Sequence, residues 1–349
     1  MSSTNNAIER QNEDSRSTDQ LQALGKISNL SGLTEVEQLI RQKLQSEVQQ
    51  LTDIPTYLLE LGGKRIRPAL TFLIASVFGL KKPTQELIDI ATGIELIHMA
   101  TLLHDDIIDK APIRRGKPSS IVTHGQSATL LAGDFLFIRA FSLCAHLDRF
   151  IIDATEQACI ELTEGELEEE LFSWAPFNFD QAKEKSLIIA KKKTGSLFAL
   201  ACSSGAFYAG LSPELSTKLS EFGYELGIAF QIIDDILDVV SDEQTLGKQP
   251  GADIRERAPS FVNVSWRQTD SQLSVELLCA QSKEYSSIKI EQARNQIKLN
   301  LKASYQEAHK HSERALQILS EVIEIAPSID AQSLQVLREL IEYGLKRAS

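Results

Sequence analysis

The sequence predicts an all-α protein, a single domain of about ten to thirteen helices, on two observations. From about Thr34 onward apolar residues recur at three- and four-residue spacing, as in Leu39, Ile40, Leu44 and Val48, and again in Leu87, Ile90, Ala91, Ile94 and Ile97. Strand-type alternation between hairpin turns is scarce. Glycine and proline instead sit at junctions between the periodic segments, at Gly62-Gly63, Lys82-Pro83, Ala111-Pro112, Gly116-Lys117-Pro118 and Gln249-Pro250-Gly251.

Composition narrows the function. With 349 residues and 42% hydrophobic content the chain can bury a sizeable core. Its 36 basic against 48 acidic side chains leave a net charge of −12, which argues against a nucleic-acid binder, because such domains need a basic face. An anionic ligand must therefore be held by local cations and metal. Cys144, Cys159, Cys202 and Cys279 lie far apart with no CxxC pair, so neither a zinc site nor a disulfide framework is expected, and a reducing cytoplasmic compartment is. Residues 1–33 are rich in Ser, Asn, Gln, Asp and Glu, lack an apolar targeting core, and are expected to form a polar disordered tail ahead of a helical domain over 34–349. No uninterrupted apolar run reaches the length of a membrane span, so no transmembrane segment is expected.

Two carboxylate clusters dominate the chemistry. Asp105-Asp106-Ile107-Ile108-Asp109 and Asp234-Asp235-Ile236-Leu237-Asp238 share the pattern DDxxD and lie about 130 residues apart, each in an apolar helical segment. On a helix, residues four apart share a face, so Asp105 and Asp109 point together, as do Asp234 and Asp238, while Asp106 and Asp235 flank them by about 100°. Carboxylates so crowded beside apolar stretches are too costly to keep without a cation. Magnesium suits them best, since it prefers hard oxygen ligands and completes its shell with phosphate and water. A single DDxxD is often just a solvated acidic turn. Two copies in apolar helices, each with basic groups downstream, argue for two walls gripping a diphosphate through metal.

A basic set complements these walls. Gly62-Gly63-Lys64-Arg65-Ile66-Arg67-Pro68 places three cations beside a glycine pair, with Pro68 suited to the first turn of a following helix. Arg114-Arg115-Gly116 follows Asp109 closely enough to reach phosphate oxygens with its forked guanidiniums. Lys191-Lys192-Lys193-Thr194-Gly195 and Gly247-Lys248 supply further cations, although any such group alone is more often a solvated surface charge. His98 and His104 sit near the first cluster, and Gln231 lies one turn before Asp234. No Ser/His/Asp or Cys/His arrangement suggests covalent hydrolysis.

From about Leu39 onward the chain resembles the trans-isoprenyl (polyprenyl) diphosphate synthases. The segments GGKRIRP, LLHDDIIDKAPIRRGKPS, Gly133-Asp134, KTGSLF from Lys193, and GIAFQIIDDILD match that family in order and spacing. The resemblance implies an isoprenoid-synthase bundle around a deep apolar cavity, usually a homodimer, that joins an allylic diphosphate head to tail with isopentenyl diphosphate. It implies that Asp105 and Asp109 bind two magnesium ions and Asp234 a third, with Asp106, Asp235 and Asp238 supporting them. Lys64, Arg67, His98 and Arg115 would hold isopentenyl diphosphate. Arg114, Lys193, Thr194, Gln231 and Lys248 would hold the allylic diphosphate.

In this family, bulky side chains just before the first cluster floor the cavity. Here Ala100 and Thr101 are small and Ile97 and Ile94 intermediate, which resembles the long-chain members and implies a product longer than C20. Two departures stand against the pattern. Where the family carries Gly-Lys-x-Thr-x-Pro, this chain has Arg257-Ala258-Pro259-Ser260-Phe261-Val262, so the lysine is missing and Arg255 or Arg257 are its candidate replacements. Glu169 stands where the family has glutamine. The lost lysine leaves a non-catalytic or regulatory subunit of a heteromeric synthase as the alternative, with a terpene cyclase further behind. Chain length, primer and pathway are left open by the sequence.

Overall fold

A computed structural model describes residues 30–242, 249–279 and 286–346 of the chain. Among these residues twelve α-helices of eleven or more residues are joined by four of five to eight residues. The twelve fall within the expected range. The four short ones are single or double turns, too brief for apolar periodicity to register. The helices are α1 (Leu33–Lys43), α2 (Gln49–Glu60), α3 (Ile66–Val77), α4 (Gln85–Ile108), α5 (Ser120–His124), α6 (Gln126–Cys144), α7 (Arg149–Glu170) and α8 (Phe179–Ala190). After a π-turn at Lys191–Gly195 come α9 (Ser196–Tyr208), α10 (Pro213–Val240), α11 (Ala252–Glu256), α12 (Phe261–Gln268), α13 (Gln272–Cys279), α14 (Ser287–Lys298), α15 (Lys302–Ile325) and α16 (Ala331–Lys346). One antiparallel ribbon, β1 (Ile113–Arg114) with β2 (Lys117–Pro118), follows α4.

The two longest site-bearing helices start where their sequences say they should. The hydroxyl of Thr84 accepts the Leu87 amide at 3.3 Å to cap α4, and Ser212 accepts the Leu215 amide at 3.4 Å ahead of Pro213 in α10. α9 nests against α10 because Gly227 meets Gly195: a Cβ on Gly227 would stand 2.5 Å from the Gly195 Cα. This close approach sets the π-turn, with Lys193 and Thr194, directly beside the second aspartate helix.

Two hydrophobic clusters share α10. The larger is built from α1 to α4, α6, α7, α9, the first half of α10, α15 and α16, and contains Leu103 and Ala100 just before the first carboxylates. The smaller gathers Ile232, Ile233, Ile236 and Val239 of α10 with Trp174, Phe261, Trp266 and Leu278. The first aspartates thus stand on one core and the second on the other. The expected tail boundary at residue 34 falls one residue inside α1, and residues 1–29 lie outside the described residues.

Two helices, α4 and α6, are long and apolar enough by length and composition to cross a membrane, which the sequence reading did not expect. Burial accounts for α4, most of whose apolar window is inside the bundle. α6 packs one side on α4 and leaves Leu130, Leu131, Ile138 and Phe141 exposed on its remaining surface.

Candidate active site

The first cluster occupies the last turn of α4. Asp109 is the C-cap, its amide bonded to the Asp105 carbonyl at 2.9 Å, and Lys110 then turns to φ 52°. The amides of Lys110 and Ala111 return to the carbonyls of Ile107 and Asp106 at 3.3 and 3.0 Å, a Schellman ending that reverses the chain. The ribbon that follows turns back at Arg115 and Gly116, both at positive φ as a two-residue I′ turn demands. Its effect is to bring Arg114 and Arg115 alongside the carboxylates they follow.

The aspartates then part company. Asp106 is fully buried and accepts from Arg114 Nε at 2.7 Å. Asp105 keeps its carboxyl toward the site: burial foremost, and the neighbouring Glu166 carboxylate next, push it up to about 7. Asp109, more open at the helix end, is raised to about 6, chiefly by loss of water, with Lys193 opposing and Glu166 and Glu169 adding to the shift.

The second cluster occupies the last two turns of α10, where a neutral amide holds Asp235. Thr194 Oγ1 donates to Gln231 Oε1 at 2.5 Å, and Gln231 Nε2 donates to Asp235 Oδ1 at 2.8 Å. Burial and the adjoining Asp234 carboxylate push Asp235 up, against the Gln231 hydrogen bond. Asp238 is buried and anchors the returning loop, its Oδ2 accepting the Asp253 amide at 3.2 Å and its carbonyl the Gly251 amide at 2.9 Å. Asp234 faces the opposite wall, where its charge acts on Arg67.

The basic wall is built around the start of α3, where Arg65 adopts φ 48° as N-cap and Pro68 lies in the first turn. One of the three cations of this segment is not available to a ligand: Arg65 bridges Glu95 at 3.1 Å and Glu37 at 3.2 Å. Arg67 lies 5.3 Å over the Phe198 ring, and its Nε is buried without a hydrogen-bond partner. Burial lowers its pKa, against the pull of Glu95 and Asp234. Arg115 reaches this wall as well, since a Cβ on Gly63 would stand 3.4 Å from its Nη1. His98, buried among Arg67, Arg115 and Arg114, is held well below the ordinary imidazole range, first by desolvation and then by those cations, and is therefore neutral. Lys64 Nζ donates to the Tyr343 hydroxyl at 3.1 Å, a contact with α16 that no local pattern announced.

Lys193 projects between the walls and pairs with Glu166 at 2.8 Å and with Glu169. Burial alone would lower its pKa, and Glu169, Glu166 and Asp105 together raise it instead. His104 lies against Phe137 with the rings tilted, and its Nε2 meets the Leu130 carbonyl at 3.2 Å and the Asp134 carboxylate at 3.6 Å on α6. Lys248 lies outside the described residues. Of the candidate replacements for the missing lysine, Arg255 feels Asp238 and donates to the Pro250 carbonyl at 2.8 Å. Arg257 sits at φ 59° with its carbonyl taken by Trp174 Nε1.

Both clusters lie at helix C-termini whose last turns carry no basic residue, so the helix dipoles oppose them. Hard oxygen donors with upshifted pKa values fit a divalent cation of the magnesium type. Among the described residues no three carboxylate, imidazole or thiol groups converge closely enough to hold an ion alone. The arrangement therefore suits ions whose remaining ligands come from a bound phosphate.

Comparison with known proteins agrees with this chemistry. The polyprenyl synthetase family profile matches residues 48–297. The octaprenyl diphosphate synthase of Escherichia coli is 35% identical over 241 residues, covering 68% of this chain and 73% of its own. The all-trans-nonaprenyl-diphosphate synthase (geranyl-diphosphate specific) of Rhodobacter capsulatus is 35% identical over 318 residues, 89% of this chain and 94% of its own. Among solved structures, the polyprenyl synthase of Caulobacter crescentus complexed with calcium and isoprenyl diphosphate superposes with a TM-score of 0.84 at 28% identity, covering 94% of this chain and 98% of that one. With both aspartate walls and the basic wall in place on that fold, the chain belongs to the polyprenyl synthetase family.

Proposed function

We propose that this chain is a polyprenyl diphosphate synthase that condenses isopentenyl diphosphate with an allylic diphosphate and makes a product longer than C20. The observation that supports this reading is the pairing of two distinct diphosphate-binding arrangements, a basic wall at Arg67, His98 and Arg115 within the field of Asp234, and the carboxylates of Asp105 and Asp109 in the field of Lys193. A hydrolase or a cyclase has no use for the second diphosphate site.

Lys64, Arg67 and Arg115 hold isopentenyl diphosphate by charge, and neutral His98 contributes a hydrogen bond without adding to their mutual repulsion. Arg114, Lys193, Thr194, Gln231 and Lys248 form the allylic diphosphate set, on the reading of the sequence. Asp105, Asp109 and Asp234 hold magnesium, about three ions with diphosphate bound, which supplies the charge that lets pyrophosphate depart. The cations of the site stabilise the leaving pyrophosphate as the allylic C–O bond ionises, and the isopentenyl alkene captures the carbocation. The proton then lost passes to the pyrophosphate. Water exclusion is the task of the apolar lining, including Phe198, Phe230, Leu226 and Ile233 under the basic wall, closed by Leu340, Ile341 and Tyr343 of α16. Ala100, Ile97 and Ile94, all buried on α4, present no bulky floor before the first cluster.

The exposed apolar side of α6, with Leu131, Ile138 and Phe141, supports assembly as a homodimer. Light scattering tests this: Ile138→Glu is expected to halve the mass while helical circular dichroism stays unchanged. A cytoplasmic location completes the reading and agrees with four free thiols.

The deciding experiment incubates purified protein with labelled isopentenyl diphosphate, farnesyl diphosphate and magnesium and sizes the extracted products. Elongated chains beyond C20 are expected; elongation only with a partner chain would favour a non-catalytic or regulatory subunit, and no elongation with or without one would overturn the synthase reading.

A further inference from the structure

Gly165 marks where α7 crosses the π-turn. A Cβ there would stand 2.7 Å from the Lys192 Cβ and 3.0 Å from both the Lys193 Cγ and its backbone nitrogen, so only glycine permits this approach. With the two backbones so close, the acidic run of α7 sorts its carboxylates by helical spacing. Glu164 and Glu168, four apart, both take Lys192 Nζ, at 2.9 and 2.6 Å on the solvent side. Glu166 and Glu169, three apart, both take Lys193 Nζ on the side of the cavity.

The inner pair differs from the outer pair in what else it meets. Glu164 and Glu168 are about half exposed, at 54% and 46%, whereas Glu166 and Glu169 are at 18% and 24%. Glu166 acts on Asp105 and Asp109, and Glu169 on Asp109 and on Asp235 across the site. Glu169 is therefore in electrostatic reach of both aspartate walls. Lys193, the cation between those walls, is already committed to two glutamates. A diphosphate that uses this ammonium must take it from them.

We propose that Glu166 and Glu169 form a counter-ion clamp on Lys193 in the ligand-free enzyme, and that Glu169 is a positioning residue that sets diphosphate affinity by competing for the Lys193 ammonium. On binding, Nζ exchanges Glu169 for a diphosphate oxygen. The identity of that diphosphate as allylic rests on the synthase reading; the clamp itself concerns any magnesium-bound diphosphate.

Calorimetric titration with inorganic diphosphate at fixed magnesium tests the clamp without requiring turnover. Glu169→Gln, which keeps shape and removes charge, is expected to tighten binding about two- to fivefold, the worth of an ion pair still about a quarter exposed. In kinetics it is expected to lower KM for farnesyl diphosphate by a similar factor while KM for isopentenyl diphosphate stays put. The gain should vanish in a Lys193→Ala background, and Glu164→Gln on the outer pair should change nothing. Glu166→Gln removes the other half of the clamp and gives the same test should Glu169→Gln not fold. Unchanged or weaker diphosphate binding in both variants overturns the proposal, and weaker binding with a raised magnesium requirement would make Glu169 a metal ligand instead. A calorimetric gain in a protein that elongates nothing would uphold the clamp and sink the synthase reading.

Discussion

The two DDxxD clusters have nearly the same sequence, Asp-Asp-Ile-Ile-Asp and Asp-Asp-Ile-Leu-Asp, and opposite surroundings. At the end of α4 the buried carboxylate, Asp106, is matched by a full positive charge from Arg114 at 2.7 Å. At the end of α10 Asp235 accepts from the neutral Gln231 amide, while Asp238 accepts the Asp253 amide and lies in the field of Arg255. The difference teaches how one motif serves two tasks. A charged partner pins the first wall to the ribbon that carries Arg114 and Arg115, and so couples it to substrate phosphate. An amide dipole holds Asp235 to its own helix without neutralising it, which leaves its negative charge for cations.

The largest effect should leave the two walls alike. Asp105→Ala and Asp234→Ala each remove a metal-binding carboxylate, and turnover is expected to fall by about a thousandfold or more, several kcal/mol of barrier, with helical circular dichroism intact. Near-normal turnover in either variant would remove that residue from the metal site.

Next in size is the dependence of stability on pH and metal. Asp105 and Asp109 have folded-state values of about 7 and about 6, above the ordinary carboxylate range. The native state thus keeps protons that the unfolded chain gives up from about pH 4 upward, so the contribution of these groups to stability falls as pH rises through 4 to 7. The melting temperature of metal-free protein is expected to drop by several degrees between pH 5 and pH 8, and magnesium with inorganic diphosphate should restore it at pH 8. Asp105→Asn should flatten the slope; an unchanged slope would mean that the upshift lies elsewhere.

The smallest effect sharpens the contrast directly. Arg114→Ala strips the buried Asp106 of its cation and is expected to cost about 2 kcal/mol at pH 8 and less at pH 5, because burial raises the Asp106 pKa and favours its neutral form. Gln231→Ala breaks neutral-donor hydrogen bonds, at about 1 kcal/mol. Thermal unfolding of both variants at the two pH values decides the matter, and equal losses would show the walls to be held alike.

Much of the site was legible in the chain. The 3.6-residue periodicity found the long helices, because each buries one apolar face, and motif spacing with the family resemblance named the aspartates and Arg67, His98, Arg115 and Thr194 as candidates. Arg65 was not distinguishable from Lys64 and Arg67, since its partners Glu37 and Glu95 come from helices about 30 residues to either side. Tyr343 gave no signal at all, being 279 positions from the lysine it meets. Glu169 was visible as a departure from the family pattern, and the run of glutamates around it could have suggested partners for Lys192 and Lys193.

What the sequence determined by itself was therefore the helical class and the inventory of carboxylates and cations, because periodicity and motif spacing are local properties of the chain. The tertiary structure decided which charges are already matched and which remain for a ligand. That division depends on helix crossings such as Gly165 against Lys193 and Gly227 against Gly195, where the loss of a side chain lets two distant segments meet and the field of each charged group falls on the other.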